Sequence, residues 1–455
     1  MGRPNPTPMM RNLLDRLSGN AIVLSTLRGQ RRVPYLSEDE VAALRDARIR
    51  ETVTYAAATV PYYRDLFARE GIDPREIVSA AGLEQLPLTS KQDLRRDPDR
   101  FVSDSRLGRG SIPFHTSGST GIPIRFHHDR RSLLQNIAFG ERQRHVEVRL
   151  CGKELRYLKV SLARQGGTGA QTRSIYRRQT FIPVKPRRRS VLFTPPLDRV
   201  VEEINSLRPD VIRGNGSYVE LLFRHLAASG ARMHMPRVIV YGSDMMAEDV
   251  KKSIEHEYGV PLLSHYNATE AFQIGYLCEE RNDFHLQADL CHLMIVAADG
   301  TKATAGEPGE VVITNLVNRG TVLLNYRLGD VARMAEGRCS CGRTFPLLSQ
   351  LEGRVEDVVY LDDGAMIHPR LVWDVVKEHP GVAQYQLVQR EPRHFELRLV
   401  TEDRAQFGSI AEALVRDLSR LLEGAKVEAE YRESLEPGPG GKFRAVVALQ
   451  QPEPG

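Results

Sequence analysis

The chain has 455 residues, of which 41% are hydrophobic and 27% are charged, and this composition indicates a globular protein of two or three domains. No stretch reaches the roughly 18 apolar residues of a membrane span, and the first residues lack the apolar segment of a signal peptide. Five scattered cysteines do not suggest a disulfide framework, so we expect a cytoplasmic protein. A net charge of +5 is too small to indicate nucleic-acid binding.

The N-terminal part of the chain predicts helices. Residues 9–70 show a helical spacing of apolar residues, and the cap that starts at Ser37 opens a helix through about Thr59. A second cap follows the extended segment that begins at Leu86. We also predict one helix from Arg130 to His145.

A loop rich in hydroxyl groups and glycine lies between two short apolar segments that predict strands. Its residues are Thr116, Ser117, Gly118, Ser119, Thr120 and Gly121. Glycine allows close approach of a ligand, and backbone N–H groups with hydroxyls can hold an anion. This segment, which we call the glycine-rich loop, is therefore a candidate for binding nucleotide phosphates. A plain turn between the two strands is the alternative.

The middle of the chain alternates strands and helices between residues 199 and 264, which predicts a doubly wound parallel sheet. Two polar segments directly follow predicted strands, and ligands collect at the carboxyl ends of such strands. These segments are Gly242-Ser243-Asp244 and Tyr266-Asn267-Ala268-Thr269-Glu270.

The C-terminal half changes character twice. Short strands from Leu293 to Tyr326 predict a distorted antiparallel barrel or sheet. After Glu356, strands and helices alternate in a compact α+β unit of about 100 residues, long enough for its own core. The predicted fold is thus α/β, with a large domain over residues 1–355 and a small domain over residues 356–455.

The polar motifs supply the groups that a nucleotide-activating enzyme requires. Tyr266 can stack on a purine, Thr269 can bond a phosphate oxygen, and the Glu270 carboxylate suits magnesium. Asp330 suits the paired hydroxyls of ribose. Lys442 directly follows Gly440 and Gly441, in a flexible segment that could bring the lysine's positive charge to the reacting phosphate.

These motifs, in this order, resemble the adenylate-forming superfamily, and more narrowly the phenylacetate-CoA ligase family and its capsule-biosynthesis relatives. The likeness runs from about residue 40 to residue 446. It implies that ATP and a carboxylic acid form an acyl-adenylate, and that a thiol, usually coenzyme A, then displaces AMP. It further implies that the small domain rotates about a hinge at Glu356 between the two steps.

The resemblance also assigns roles to single residues. Lys442 would serve adenylation, and Asp330 and Arg354 would hold the ribose. The segments with Gly242, Ser243 and Asp244 and with Tyr266 and Asn267 would flank the adenine and the acid.

Two positions depart from the family pattern. Ile122 stands where the phosphate loop usually has lysine, so one phosphate contact is missing. Leu361-Asp362-Asp363-Gly364 stands where an Arg-Gly pair is usual, and this change bears on coenzyme A as the acceptor.

Four residues form a candidate zinc site: Cys278, His285, Cys339 and Cys341. Their thiols and imidazole are the ligands that tetrahedral zinc prefers, and four protein ligands indicate a structural role. Free thiols with a surface histidine are the alternative, and Cys291 and His292 are rival ligands. Cys151 is expected to be a buried apolar residue.

A basic stretch, residues 156–189, contains ten lysines and arginines and no acid. Such a local field attracts anions, so coenzyme A or an acyl-carrier protein could bind there. A solvated basic loop is the alternative.

The sequence therefore predicts an ATP-dependent ligase for an aryl or otherwise hydrophobic acid. The alternative is an amide or ester ligase or a carrier-protein loading enzyme, with an amine or phosphopantetheine as the acceptor. A nucleotide-binding relative without catalysis is a further alternative, whereas a zinc-containing nucleic-acid binder is disfavoured. A homodimer is expected from the frequency of such assemblies.

Overall fold

A computed structural model describes residues 8–115, 124–163, 168–183, 187–192, 196–242, 246, 248–297, 299–354, 359–361, 366–367, 369–376, 378–435 and 444–449. None of the helices in these ranges is both long and apolar enough to cross a lipid bilayer.

The N-terminal region is helical, as predicted. Its helices are α1 (Pro8–Leu27), α2 (Glu38–Thr59), α3 (Pro61–Glu70), α4 (Ala80–Glu84), α5 (Lys91–Arg96) and α6 (Arg106–Arg109). Ser37 and Glu40 form the reciprocal hydrogen bonds of a capping box at the start of α2. Ser90 and Asp93 do the same for α5. Local side-chain chemistry therefore sets both helix starts.

The predicted strand pair around the glycine-rich loop is present as β1 (Ile112–His115) and β2 (Arg125–His128), which are antiparallel. The single helix predicted behind it is wrong. Two helices, α7 (Arg130–Phe139) and α8 (Glu141–Cys151), meet at Gly140, whose ψ of −11° ends the first of them.

The parallel part of the sheet contains five strands with helices between them. In chain order these are β3 (Leu158–Ala163), α9 (Thr168–Gln179), β4 (Arg187–Leu192), α10 (Leu197–Leu207), β5 (Val211–Asn215), α11 (Gly216–Ser229), β6 (Val238–Gly242), α12 (Glu248–His256) and β7 (Leu262–Tyr266). The strands pair in the order β4-β3-β5-β6-β7, all parallel. Alternate residues of β5 and β6 enter two separate apolar cores, one on each face. The doubly wound sheet is confirmed.

Antiparallel strands continue the same sheet to eleven strands. They are β8 (Gly275–Leu277), β9 (Phe284–Leu286), β10 (Cys291–Val296), β11 (Gly309–Asn315), β12 (Tyr326–Met334) and β13 (Leu347–Arg354). Their order from β7 outward is β8-β9-β13-β12-β11-β10. The series of short strands predicted from Leu293 to Tyr326 is wrong at its end, because Val322, Leu323 and Leu324 are core residues that precede β12 instead of forming a strand. Asn325, with φ of 45°, separates them from that strand.

The C-terminal region has the predicted α+β character. Its elements are β14 (Val359–Tyr360), β15 (Met366–Ile367), α13 (Pro369–Val376), β16 (Val382–Glu391), β17 (His394–Thr401), α14 (Phe407–Leu421), β18 (Lys426–Tyr431) and β19 (Val446–Val447). Four of these strands form a second sheet in the order β18-β17-β16-β19, over an apolar core of its own. The proposed hinge residue, Glu356, lies outside the described residues, so the boundary there stays a prediction.

Candidate active site

A hydrogen bond joins two of the predicted nucleotide motifs. Tyr266, at the end of β7, donates from its hydroxyl to Oδ2 of Asp330 on β12 over 2.7 Å. Tyr266 is only 5% exposed and Asp330 is half-buried, so packing restricts the geometry of the bond. The candidate purine-stacking residue and the candidate ribose ligand therefore belong to one site.

Asp330 also lies beside the second predicted ribose ligand. β12 and β13 are antiparallel, and their register places Asp330 directly opposite Arg354. Residues opposite each other in an antiparallel pair are close neighbours, about 5 Å apart at their Cα atoms. The Arg354 side chain lies outside the description, and the backbone brings this position to the Tyr266–Asp330 pair.

Side chains from other strands fix the turn after β7 through hydrogen bonds to its backbone carbonyls. Nε2 of His128 lies 2.8 Å from the Thr269 carbonyl oxygen, and Nδ2 of Asn315 donates to the Glu270 carbonyl over 2.8 Å. Burial lowers the pKa of His128 to about 4, so the neutral ring donates through Nε2. When the side-chain amide of Asn267 is oriented so that its nitrogen faces neighbouring carbonyl oxygens, Nδ2 donates to the Phe272 carbonyl over 2.8 Å. Side chains from β2 and β11 thus fix the backbone of the Thr-Glu motif.

The His128 contact also ties this turn to the glycine-rich loop. His128 belongs to β2, the strand that follows the loop, and β1 and β2 pair from Ile112↔His128 to His115↔Arg125. The loop itself, from Thr116 to Gly121, and Ile122 lie outside the described residues. The two strands that carry the loop are nevertheless anchored to the turn that carries Thr269 and Glu270.

Gly242 is the last residue of β6, the strand that pairs with β7. It pairs with His265, and a Cβ atom at Gly242 would lie 2.7 Å from the His265 carbonyl oxygen. Only glycine permits this approach. Ser243, Asp244 and Lys442 lie outside the described residues.

Lys91 is a residue near this site that the sequence analysis did not identify. Its Nζ would lie 2.6 Å from a Cβ atom at Gly329, which precedes Asp330 and has φ of 81°. The extended segment before Lys91 is fixed to the same place, because Thr89 Oγ1 donates to the Leu324 carbonyl over 2.9 Å. Gly329 therefore leaves room for a lysine beside Asp330. A glycine directly before the candidate ribose ligand was the sequence signal for this approach.

The predicted metal ligands come together. The ligand atoms of Cys278, His285, Cys339 and Cys341 all lie within 4.8 Å of one another. The Sγ atoms of Cys278 and Cys339 are 3.6 Å apart, and Cys341 Sγ is 3.4 Å from His285 Nε2. Tetrahedral zinc with bonds of about 2.3 Å to sulfur places two sulfurs about 3.8 Å apart. The four side chains are therefore compatible with a zinc site.

The rival ligands lie elsewhere. Cys291 is buried on β10, and His292 Nε2 lies 3.2 Å from Glu84 Oε1. Cys151 is fully buried in the main apolar core, as predicted.

The four candidate metal ligands lie on the same strands and loop as the candidate ribose ligands. Cys278 follows β8, His285 is on β9, and the two remaining cysteines lie in the loop between β12 and β13. His285 pairs with Leu347 of β13, so the same strands carry the metal ligands and the candidate ribose ligands. Buried Arg343 in that loop donates to Glu279 over 2.6 Å, which adds a second attachment.

Comparison with known proteins confirms the resemblance. The chain is 26% identical over 414 residues to a phenylacetate-coenzyme A ligase of Thermus thermophilus, covering 87% of this chain and 88% of that protein. It is 27% identical over 376 residues to the phenylacetate-coenzyme A ligase of Escherichia coli, covering 79% and 82%. No family model matches the chain.

Solved structures share the fold. 2-Hydroxyisobutyryl-CoA ligase, in the postadenylation state with 2-HIB-AMP, superposes with a TM-score of 0.73 at 19% identity and covers 92% of this chain and 91% of its own. The same enzyme in an open conformation with 2-HIB-AMP and CoA gives a TM-score of 0.61, at 18% identity over 92% and 93% of the two chains. The α/β architecture of this chain is that of adenylate-forming enzymes.

Proposed function

We propose that this homologue of phenylacetate-coenzyme A ligases is an AMP-forming ligase, which activates a carboxylic acid with ATP and transfers the acyl group to coenzyme A. The observation that carries the proposal is the contact of Tyr266 with Asp330, two motifs that are 64 positions apart. The contact of His128 with Thr269 adds the strand pair of the glycine-rich loop to the same site.

In the first step, a carboxylate oxygen of the acid attacks the α-phosphorus of ATP, and pyrophosphate leaves as the acyl-adenylate forms. Asp330 and Arg354 hold the ribose, Tyr266 stacks on the adenine, and Thr269 with Thr116–Gly121 bonds phosphate oxygens. Glu270, a buried carboxylate, is the side chain that would hold magnesium, which supplies positive charge to the phosphates. Lys442 neutralises charge that develops on the leaving pyrophosphate.

In the second step, the sulfur of coenzyme A attacks the acyl carbon, the thiol proton is lost, and AMP leaves. The lysine that serves the first step would obstruct the incoming thiol, so we propose that the small domain rotates about Glu356 between the steps. An acyl-carrier protein or an amine is the alternative acceptor.

We further propose that Cys278, His285, Cys339 and Cys341 bind one structural zinc ion. With four protein ligands no position remains for a substrate. Its role would be to fix β8, β9 and the loop between β12 and β13, and with them Asp330. Cytoplasmic location and dimer formation remain predictions.

Pyrophosphate–ATP exchange with a panel of acids tests the first step. We expect exchange that depends on the acid and is lost in the Asp330→Ala variant. Adding coenzyme A, hydroxylamine or a carrier protein then identifies the acceptor by mass spectrometry. Nucleotide binding without exchange for any acid would instead support a non-catalytic relative.

A further inference from the structure

Three arginines from the basic stretch and the strand after it converge on one face of the parallel sheet. Arg188 of β4 is in register with Lys159 of β3, and Arg213 of β5 is in register with Ser161 of β3. Paired residues of neighbouring strands project to the same side, and so do residues two apart in one strand. Arg173 of α9 lies within range of electrostatic repulsion from Arg188 and Arg213. We call Arg173, Arg188 and Arg213 the cationic cluster.

Among the described residues, no carboxylate forms a salt bridge with the cationic cluster. Glu147 of α8 partly offsets the charges of Arg188 and Arg213, but its hydrogen bond goes to Lys159, whose Nζ donates to Oε1 over 2.5 Å. That pair is buried, with 1% of Lys159 and 3% of Glu147 exposed. Nε of Arg188 is buried and finds no hydrogen-bond partner in the part of the chain that the structure describes. Burial and the neighbouring guanidinium groups lower the pKa of Arg173 and of Arg213.

An arrangement of this kind is unfavourable unless an anion joins it. Arg173, Arg188 and Arg213 are half-buried. Half-buried charges without an ion-pair partner lose part of their hydration and repel one another, and a bound anion relieves both costs. Guanidinium groups are also suited to bind carboxylates and related oxyanions through two parallel hydrogen bonds.

The cationic cluster lies next to the proposed reaction site. Arg213 is two residues before Asn215, which pairs with Gly242, and Gly242 pairs with His265, the neighbour of Tyr266. On the other side, Ile175 of α9 packs against Phe114 of β1, and Gln171 donates to the Pro113 carbonyl over 3.0 Å. The arginines thus lie between the strand pair of the glycine-rich loop and the carboxyl ends of β5 to β7.

We propose that the acid which this chain activates carries a second anionic group, and that Arg173, Arg188 and Arg213 bind this group. The inference rests on the proposed ligase function and changes its substrate class from a hydrophobic acid to a dianionic one. It also removes Arg173 and Arg188 from the surface that the basic stretch could offer to coenzyme A or a carrier protein.

Matched pairs of acids test the inference. Pyrophosphate exchange is measured with monoacids and with the corresponding diacids, such as phenylacetate against 4-carboxyphenylacetate and hexanoate against adipate, over a range of lengths. In the native protein the best diacid should exceed its monoacid in kcat/KM by about tenfold or more, the effect of one or two charged hydrogen bonds. In Arg213→Met that ratio should fall about tenfold.

Arg189→Met is the matched control. Arg189 is exposed and pairs with Val160, so it projects from the opposite face of the same strand as Arg188. This variant should keep the native ratio. Preference for the monoacid throughout the panel, or an unchanged ratio in Arg213→Met, overturns the inference.

Two further measurements separate this inference from its alternatives. If Arg213→Met raises the KM for ATP and leaves the diacid preference unchanged, the cluster binds nucleotide phosphate and the inference is wrong. If no acid supports exchange in the native protein, the ligase proposal fails by itself.

If no acid supports exchange, thermal unfolding still tests anion binding by the cationic cluster, because it needs no ATP. Diacids should raise the Tm of the native protein and of Arg189→Met but not of Arg213→Met, and equal shifts in all three overturn the site. Arg213→Met itself should unfold at the native Tm or above it, because the substitution removes repulsion between like charges.

Discussion

The hydroxyl of Tyr266 donates to Oδ2 of Asp330 across 2.7 Å, from the last residue of one strand to the middle of another. A phenol that donates to a carboxylate restricts its orientation. If Asp330 binds a ribose as proposed, this bond orients the carboxylate before any ligand binds.

Replacing Tyr266 by Phe should therefore weaken nucleotide binding. The ring and its packing remain, while Asp330 loses a hydrogen bond worth about 1.5 to 3 kcal/mol, the usual range when one partner is charged. We expect a KM for ATP roughly ten- to 150-fold higher and an unchanged Tm within a few degrees. Exchange assays at varied ATP provide the measurement, and a native KM would show that the bond does not position Asp330.

Lys442→Ala should separate the two half-reactions. Loss of a cation at the leaving pyrophosphate should slow adenylation by about a hundredfold or more. Thioester formation from a synthetic acyl-adenylate should stay near the native rate, because that step does not need the lysine. Equal losses in both steps would contradict the assignment of Lys442 to adenylation alone.

Cys339→Ser should remove the metal and lower stability. Elemental analysis should find about one zinc per native chain and less than one tenth of that in the variant, with a reduced Tm. Cys151→Ala is the matched control, since this buried thiol lies outside the cluster, and it should retain zinc. A native protein purified without zinc, yet equally stable after zinc is added, would refute the site.

Glu84 should contribute to stability in a pH-dependent way. Lys302 Nζ donates to Glu84 Oε2 over 2.7 Å, and His292 Nε2 lies 3.2 Å from Oε1. Burial alone would raise the pKa of Glu84, but these two partners outweigh it and lower the pKa to about 2 from its ordinary value of 4.5.

Since this folded-state pKa is depressed, the stabilisation is complete above pH 4.5 and is lost as the pH falls from 4.5 towards 2. Glu84→Gln should cost about 2 kcal/mol near pH 7 and make the acid limb of the stability curve shallower. Urea unfolding at several pH values measures this. Parallel acid limbs for the two proteins would exclude the coupling.

Asp289→Asn should be one of the most destabilising single changes. Arg142 binds Asp289 through two hydrogen bonds of 2.7 and 2.9 Å, and Arg48 adds a third at 3.0 Å. Both members of the Arg142–Asp289 pair are essentially inaccessible to solvent. Removing the charge leaves two guanidinium groups uncompensated, which should cost about 3 to 5 kcal/mol.

The exposed pair of Asp73 and Arg75 provides the comparison for this change. Asp73→Asn should leave the Tm unaltered, because solvent screens that pair. Similar Tm values for the two variants would show that burial does not decide the effect.

Local signals in the sequence predicted what depends on neighbouring residues. The caps at Ser37 and Ser90, the strands around the glycine-rich loop and the alternation from β5 to β7 rest on contacts a few residues apart. The break at Gly140 was missed, because the residues on both sides of it favour helix and one glycine separates them. The strands at Leu158 and Arg187 were missed because their arginines and lysines resemble a solvated loop.

Residue type and order alone thus predicted the ordered motifs and the four candidate metal ligands. Which groups meet depends on the fold: the Tyr266 hydroxyl lies against Asp330, the His128 ring against the Thr269 carbonyl, and Lys91 against Gly329. The fold also places Arg188 and Arg213 on one face of the sheet. These contacts depend on the order and register of eleven strands, which are set by the packing of apolar faces distant in sequence.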